Sequence, residues 1–158
     1  MISPIRATDW TAIVEIQAEV YHAVEPESLS VLQAKWLMSP ETCFVYRDVS
    51  GEIGGYLLAH RWHSETPPKL YQQLAAADGH ILFLHDLAIS QRLAGQGAGR
   101  AMVEHLLAVA KTHGYQQSLL VSVQDSVQFW QKFGYTETNQ IASASYGEGA
   151  AVMINNLV

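Results

Sequence analysis

The sequence predicts an α/β domain, a mixed sheet with helices on both faces. Three observations carry this. The elements read in the order β-α-α-β-β-β-α-β-α-β-β, which mixes strands and helices throughout. Residues 80–123 read as strand, glycine-rich turn, helix and strand, a unit that lays its two strands parallel with a right-handed crossover. A hydrophobic content of 49% against 15% charged, over 158 residues, is enough for one domain with a real core. No repeat, low-complexity tract or linker divides the chain, so residues 1–158 are read as a single domain.

Residues 2–6 form a short first strand, which Pro4 confines to an edge or a bulge. Thr8 or Asp9 caps a helix whose apolar face is Ile13, Val14, Ile16, Val20 and Tyr21. A second helix spans 28–38, capped by Ser28 or Ser30, with Leu29, Leu32, Trp36 and Leu37 as its buried stripe and Pro40 as its stop. Glu25 and Glu27 lie in the link between them and read as solvated loop charge; the alternative is that the link lines a pocket for an amine. Strands at 42–49 and 53–62 flank Ser50-Gly51-Glu52 and read as a hairpin. Gly54 and Gly55 in the second of these imply a bulge or a close approach to another backbone. Residues 63–79 break the pattern and form a long surface connection with a helical turn at 69–74 and an alanine-rich end at 75–77.

Residues 81–89 are apolar apart from His85 and Asp86, as expected of a strand buried on both faces. Gly95, Gly97 and Gly99 follow, then a helix over 101–111 that Gly114 closes. A strand at 118–123, a short helix capped by Asp125 or Ser126 and running to Lys132, and strands at 135–142 and 150–157 complete the chain. A strand, a glycine turn and a helix N-terminus make an anion site, because glycine lets the backbone approach and the first helical amides are free. The plainer reading is a flexible loop that uses glycine only to turn. The spacing Gly95-Gln96-Gly97-Ala98-Gly99 is not that of a dinucleotide-binding Rossmann loop.

Composition narrows the partners. A net charge of −6 leaves no basic face for nucleic acid. No apolar run approaches the roughly 20 residues that span a bilayer, and the N-terminus does not read as a signal peptide. The single cysteine, Cys43, excludes an intramolecular disulfide and fits a reducing cytoplasm. A homodimer stays open.

Two motifs resemble those of the Gcn5-related N-acetyltransferases, which move an acetyl group from acetyl-CoA to an amine. Arg92-Leu93-Ala94-Gly95-Gln96-Gly97 is similar to that family's pyrophosphate loop, Gln/Arg-x-x-Gly-x-Gly/Ala. Phe129-Trp130-Gln131-Lys132-Phe133-Gly134-Tyr135 resembles its Phe-Tyr-x-x-x-Gly-Phe run, and the element order agrees over nearly the whole chain. The resemblance implies a mostly antiparallel sheet with one splayed parallel strand pair and acetyl-CoA as cosubstrate, with no metal. Pantetheine would lie in the splay against backbone groups of Leu87 and Ile89. The amides of Gln96, Gly97, Ala98, Gly99 and Arg100, with Gly95 in the turn, would hold the pyrophosphate. Arg92 and Arg100 are phosphate contacts or ordinary surface charge, and Asp125 and Trp130 are the remaining coenzyme candidates.

Acetyl transfer needs a neutral amine, so a group must accept its proton, and a backbone N–H such as that of Leu87 or Ile89 must meet the developing oxyanion. His85 is the candidate base: its ordinary pKa suits the task, and a strand period of two puts it on the face of Leu87 and Ile89. His85-Asp86-Leu87-Ala88-Ile89 also resembles the His-x-Leu-Ala-Val run of arylalkylamine acetyltransferases, whose strand histidine helps deprotonate the amine. The other reading of His85 is a core histidine satisfied by a carbonyl. Asp86, alternating to the opposite face, reads as structural, holding a loop or helix end. Trp130 stands where many members have a tyrosine general acid, and an indole N–H only donates a hydrogen bond. Tyr146 is a candidate substitute. The expected acceptor is a small-molecule primary amine; the alternatives are a catalytically weak acyl-CoA-binding regulator and an acetyltransferase of protein N-termini or lysines. Tyr21, Trp62, Tyr71 and Tyr146 would suit an apolar or aromatic amine, though core packing is the commoner use of each.

Overall fold

Strands β1 (Ile2–Pro4), β2 (Phe44–Arg47), β3 (Ile53–Trp62), β4 (Ile81–Ile89), β5 (Gln117–Ser122), β6 (Thr136–Ile141) and β7 (Ala151–Asn156) form one sheet in the order β1-β2-β3-β4-β5-β7-β6. The computed structural model that shows this describes residues 1–21, 25–72 and 78–158. Every neighbouring pair is antiparallel except β4 and β5. The helices are α1 (Trp10–Val20), α2 (Leu29–Met38), α3 (Ala98–Thr112) and the short α4 (Val127–Gln131). The residues expected at 73–74 of the helical turn and at 75–77 lie outside the described residues.

Alternation along β3 divides the core between the two faces. Leu57 and Ala59 pack with Met102, Val103 and Leu106 of α3, whereas Tyr56 and Leu58 pack with Ile13 and Ile16 of α1 and Leu32 of α2. Each of the leucine, isoleucine, valine and methionine side chains here contributes about 1.5–3 kcal/mol by leaving water. α3 starts earlier than its apolar pattern indicates, because Gly97 at φ 77° forms its N-cap. It ends as expected: Gly114 turns at φ 79°, and the Tyr115 amide reaches back to the Ala110 carbonyl at 3.0 Å.

Helix α2 is rotated from its expected stripe. Leu29 is 45% and Leu37 70% exposed, while Val31, Leu32 and Lys35 face inward. The Ser28 hydroxyl caps it by accepting the Val31 amide at 3.3 Å. A lysine enters the interior because partners wait there, as described below.

The expected irregularity at Gly54 is a bulge. Arg47 pairs with Ile53 and Tyr46 with Gly55, leaving Gly54 over. A Cβ on Gly54 would stand 2.2 Å from Leu93 Cδ1, so glycine lets the turn after β4 dock on the hairpin.

Candidate active site

β4 and β5 pair only from Ile81–Gln117 to Leu84–Leu120 and then part. On its other edge β4 pairs Leu84 with Ala59 and Asp86 with Leu58, which leaves His85 as an extra residue in a β-bulge where the strands separate. Beyond it, Ser90 donates its amide to Gly54 on β3 at 2.8 Å. By the two-residue period of the ladder, the backbone groups of Leu87 and Ile89 point the other way, into the splay. A cavity of about 260 Å³ fills that gap, running from Gly99, Phe129 and Trp130 to Tyr21, Glu27 and Tyr146.

The end near α3 is built from backbone. Gly95 and Gly97 both sit at φ 77°, and a Cβ on either would meet nothing within 4 Å, so space lies open over the loop. No side chain caps α3 and its first turn holds no acid, leaving the amides of the first turn and the positive end of the helix for an anion. Gln96 departs from expectation: its amide donates to the Leu93 carbonyl at 3.3 Å, closing the turn. Arg92 departs further. Its guanidinium pairs with Asp48 and donates to the Ile53 carbonyl at 2.8 Å, bracing the β2–β3 hairpin and not the loop. Arg100 pairs with Glu104 one turn on at 2.7 Å, with its side chain 76% exposed. Asp125 is exposed at φ 58°, and Ser126, not Asp125, stands at the N-cap of α4. Trp130 is buried along the cavity, its indole N–H on the Ser126 hydroxyl at 3.2 Å.

The opposite end holds the titratable groups. His85 Nε2 bonds to Glu27, with both side chains almost wholly buried. The other Glu27 oxygen accepts the Tyr71 amide at 2.9 Å and faces Lys35 Nζ at 3.8 Å. Gln17 fixes the Glu27 backbone, its side chain accepting the amide at 3.0 Å and donating to the carbonyl at 3.2 Å. Glu27 is therefore no solvated loop charge. Burial pushes its carboxyl up, but His85, Lys35 and the Tyr71 amide together outweigh that and hold it down at about 2. Lys35, which donates to the Gln72 carbonyl at 3.4 Å, is pushed down by burial against the opposing pull of Glu27. With Glu27 accepting the Nε2 proton, neutral His85 carries its lone pair on Nδ1, which has no partner among the described residues.

The bulge also overturns the expected faces. Leu84, Leu87 and Ile89 pack toward α3, whereas His85 reaches Glu27 and Asp86 reaches Tyr56 on the α1 and α2 side. An extra residue shifts the alternation by one, so His85 shares its face with Asp86 and not with Leu87 and Ile89. Asp86 holds no loop or helix end; it accepts the Tyr56 hydroxyl at 2.6 Å and lines the cavity. Its pKa is raised by burial, partly offset by His85 and by the hydroxyls of Tyr21 and Tyr56. Tyr21 donates to the Leu87 carbonyl at 2.8 Å, and Tyr146 to the Pro68 carbonyl at 2.6 Å. Both tyrosine pKa values are raised, first by burial. Among the described residues no group of His, Cys, Asp and Glu is arranged to hold a metal ion, and no helix is long and apolar enough to cross a membrane.

Residues 10–135 match the model of the Acetyltransferase (GNAT) family. The chain belongs to that family. The GNAT fold also appears in solved structures. A GNAT-like decarboxylase, GphF, in complex with isobutyryl-CoA, superposes with a TM-score of 0.85 at 19% identity, covering 100% of both chains. The loading GNATL domain of CurA from Lyngbya majuscula gives 0.84 at 11% identity over 99% of this chain and 97% of that one. The ribosomal-protein-S18-alanine N-acetyltransferase from Escherichia coli gives 0.73 at 17%, covering 99% and 93%. Comparison with curated protein sequences finds no significant match. Within the GNAT frame, Lys35 and Tyr56 are the site residues that sequence reasoning passed over, while Glu27, read first as solvated loop charge, takes the alternative place in a pocket lining. One signal for Lys35 was available: it lies four residues after Val31, on the face that the helix buries.

Proposed function

We propose that this GNAT protein transfers an acetyl group from acetyl-CoA directly to the primary amine of a small molecule in the cytoplasm. The observation that carries the reading is the buried Glu27–His85 pair at the point where β4 and β5 part, with His85 Nδ1 left unpartnered. Glu27 orients the imidazole, as a carboxylate does for a catalytic histidine. The amine proton passes to His85 Nδ1; the amine nitrogen bonds to the thioester carbon; the C–S bond breaks and the pair leaves on sulfur. The amides of Leu87 and Ile89 are the donors positioned for the oxyanion. The coenzyme fits the residues present: the space over Gly95 and Gly97 and the uncapped N-terminus of α3 suit a pyrophosphate, and the splay suits an extended pantetheine arm. The structures with bound CoA or acyl-CoA among its fold relatives are consistent with this donor.

The test is a panel of amines and peptides with acetyl-CoA, repeated on His85→Ala. The variant should keep CoA binding and lose about 10²–10⁴ in rate, the usual worth of a positioned base. Full activity in the variant between about pH 6 and 9 would remove the base assignment. A peptide accepted in preference to every small amine would redirect the reading to protein acetylation. A second reading has its own support. Trp130 supplies no acid, and the hydroxyls of Tyr21 and Tyr146 are both donated to carbonyls, which suits a weakly active acyl-CoA-binding regulator. Thermal stabilisation by CoA with no transfer to any amine or peptide would favour that reading.

A further inference from the structure

The charges around the acceptor end of the cavity are one-sided. Glu25, Glu27 and Asp86 line it, and among the described residues His85 is the only lining residue that can carry a positive charge. No lysine or arginine lines the cavity among the described residues, and the stretches 22–24 and 73–77 contain none in sequence. Lys35 stands behind Glu27 with its side chain 1% exposed, so its charge is already matched.

Asp86 differs from Glu27 in its partners. Glu27 is in direct contact with Lys35 and His85, whereas Asp86, only 7% exposed, accepts the Tyr56 hydroxyl and feels His85 and Lys35 only from a distance, with no ion pair of its own among the described residues. A carboxylate removed from water without a cation is costly, and burial accordingly disfavours its charged form. A ligand ammonium entering the cavity would supply the direct ion-pair partner that Asp86 lacks among the described residues.

We propose that Asp86 is the ammonium-binding residue of the acceptor site, and that the site selects amines that carry no carboxylate over the corresponding amino acids. The inference rests on the amine-acetylation reading and names its substrate class. The bulge makes the two steps continuous: Asp86 receives the cation, and its chain neighbour His85 on the same face takes the proton. Tyr21, Leu70 and Tyr146 line the same end and suit an apolar or aromatic substituent on the amine. An amino acid would bring its carboxylate against Glu25 and Glu27 with no lysine or arginine to receive it.

The experiment is calorimetric binding to the CoA-saturated full chain, with two matched pairs: phenethylamine against phenylalanine, and butylamine against norvaline. Each pair differs only by a carboxylate. The amine of each pair should bind at least about tenfold tighter, a difference of roughly 1.4 kcal/mol. In Asp86→Asn the amine should weaken about tenfold or more, the amino acid should change little and CoA affinity should hold. Amino acids binding as tightly as the amines, no amine binding in either pair, or Asp86→Asn keeping the preference would each overturn the proposal. The wild-type comparison decides by itself if Asp86→Asn does not fold. Amines that bind with the stated preference yet are never acetylated would retire the transfer reading and leave the ammonium site standing.

Discussion

Replacing Glu27 by glutamine probes the site most directly, because one carboxylate holds His85, the Tyr71 amide and Lys35 together. Glutamine keeps the shape and one acceptor oxygen but leaves the buried ammonium of Lys35 unmatched. Removing one partner of a buried ion pair costs about 3–5 kcal/mol. The retained oxygen argues for the lower end, roughly 3 kcal/mol. The depression of the Glu27 carboxyl from its ordinary 4.5 to about 2 is of the same order, at about 1.36 kcal/mol per pH unit. With a urea dependence of about 2 kcal/mol per molar, the unfolding midpoint should fall by roughly 1.5 M. The sign with pH follows from the direction of the shift. A carboxyl that titrates lower in the folded state stabilises it above its unfolded value, and that stability is lost as pH falls. The gap between wild type and Glu27→Gln should therefore be full at neutral pH and shrink from about pH 4.5 toward about 2. Urea titrations at neutral pH, near pH 5 and near pH 3.5 follow it. A gap below about 0.5 kcal/mol at neutral pH, no larger than an ordinary surface substitution, would refute the buried network. So would a gap that stays constant as the pH is lowered.

The glycine-loop end gives two contrasting expectations. Gly54→Val places a Cβ 2.2 Å from Leu93 Cδ1, so the turn before the loop must move; stability should drop by about 1–3 kcal/mol, with CoA affinity falling at least about tenfold in calorimetry, and unchanged affinity would separate the loop from its anchor. Arg92→Ala should leave CoA affinity within about twofold and its salt dependence unaltered, because the guanidinium serves Asp48 and the Ile53 carbonyl; its stability cost should be about 1 kcal/mol or less for so exposed a pair, and a reduced salt slope would restore it as a phosphate ligand.

Local chemistry made most of the fold readable. The Ser50-Gly51-Glu52 turn, the cap at Ser28 and the stop at Gly114 are each dictated by residues within one turn of the feature they produce. The family motifs could be read for the same reason: a glycine loop before a helix is a local object. The acceptor end could not, because its meaning lies in partners far along the chain. Glu27 looks solvated among the residues of its link, yet His85 lies 58 positions away and Tyr71 44. Arg92 fits the loop motif by position, while the acceptors of its guanidinium are on a hairpin some 40 residues earlier. α2 was misread for a related reason. Its stripe was chosen by apolarity, and the buried face includes Lys35 because the tertiary structure provides a carboxylate and a carbonyl for the ammonium.

The bulge at His85 shows how little sequence is needed to convert a core strand into a site. Unbroken alternation from Leu82 and Leu84, which pack toward α3, would have turned Asp86 to that same side, away from His85. One residue without a partner on β3 brings His85 and Asp86 to a single face. It falls immediately after Leu84, the last residue of β4 paired with β5. The ladder to β3 resumes from Asp86 to Ile89, so the strand keeps its anchor on one edge while the other is freed. The backbone groups of Leu87 and Ile89 then have no strand to bond, and a buried strand edge does not remain stable without acceptors and donors from elsewhere. Tyr21 supplies one bond, to the Leu87 carbonyl. The remaining groups along the splay are matched in spacing to an extended chain of amides, which is what a pantetheine arm presents.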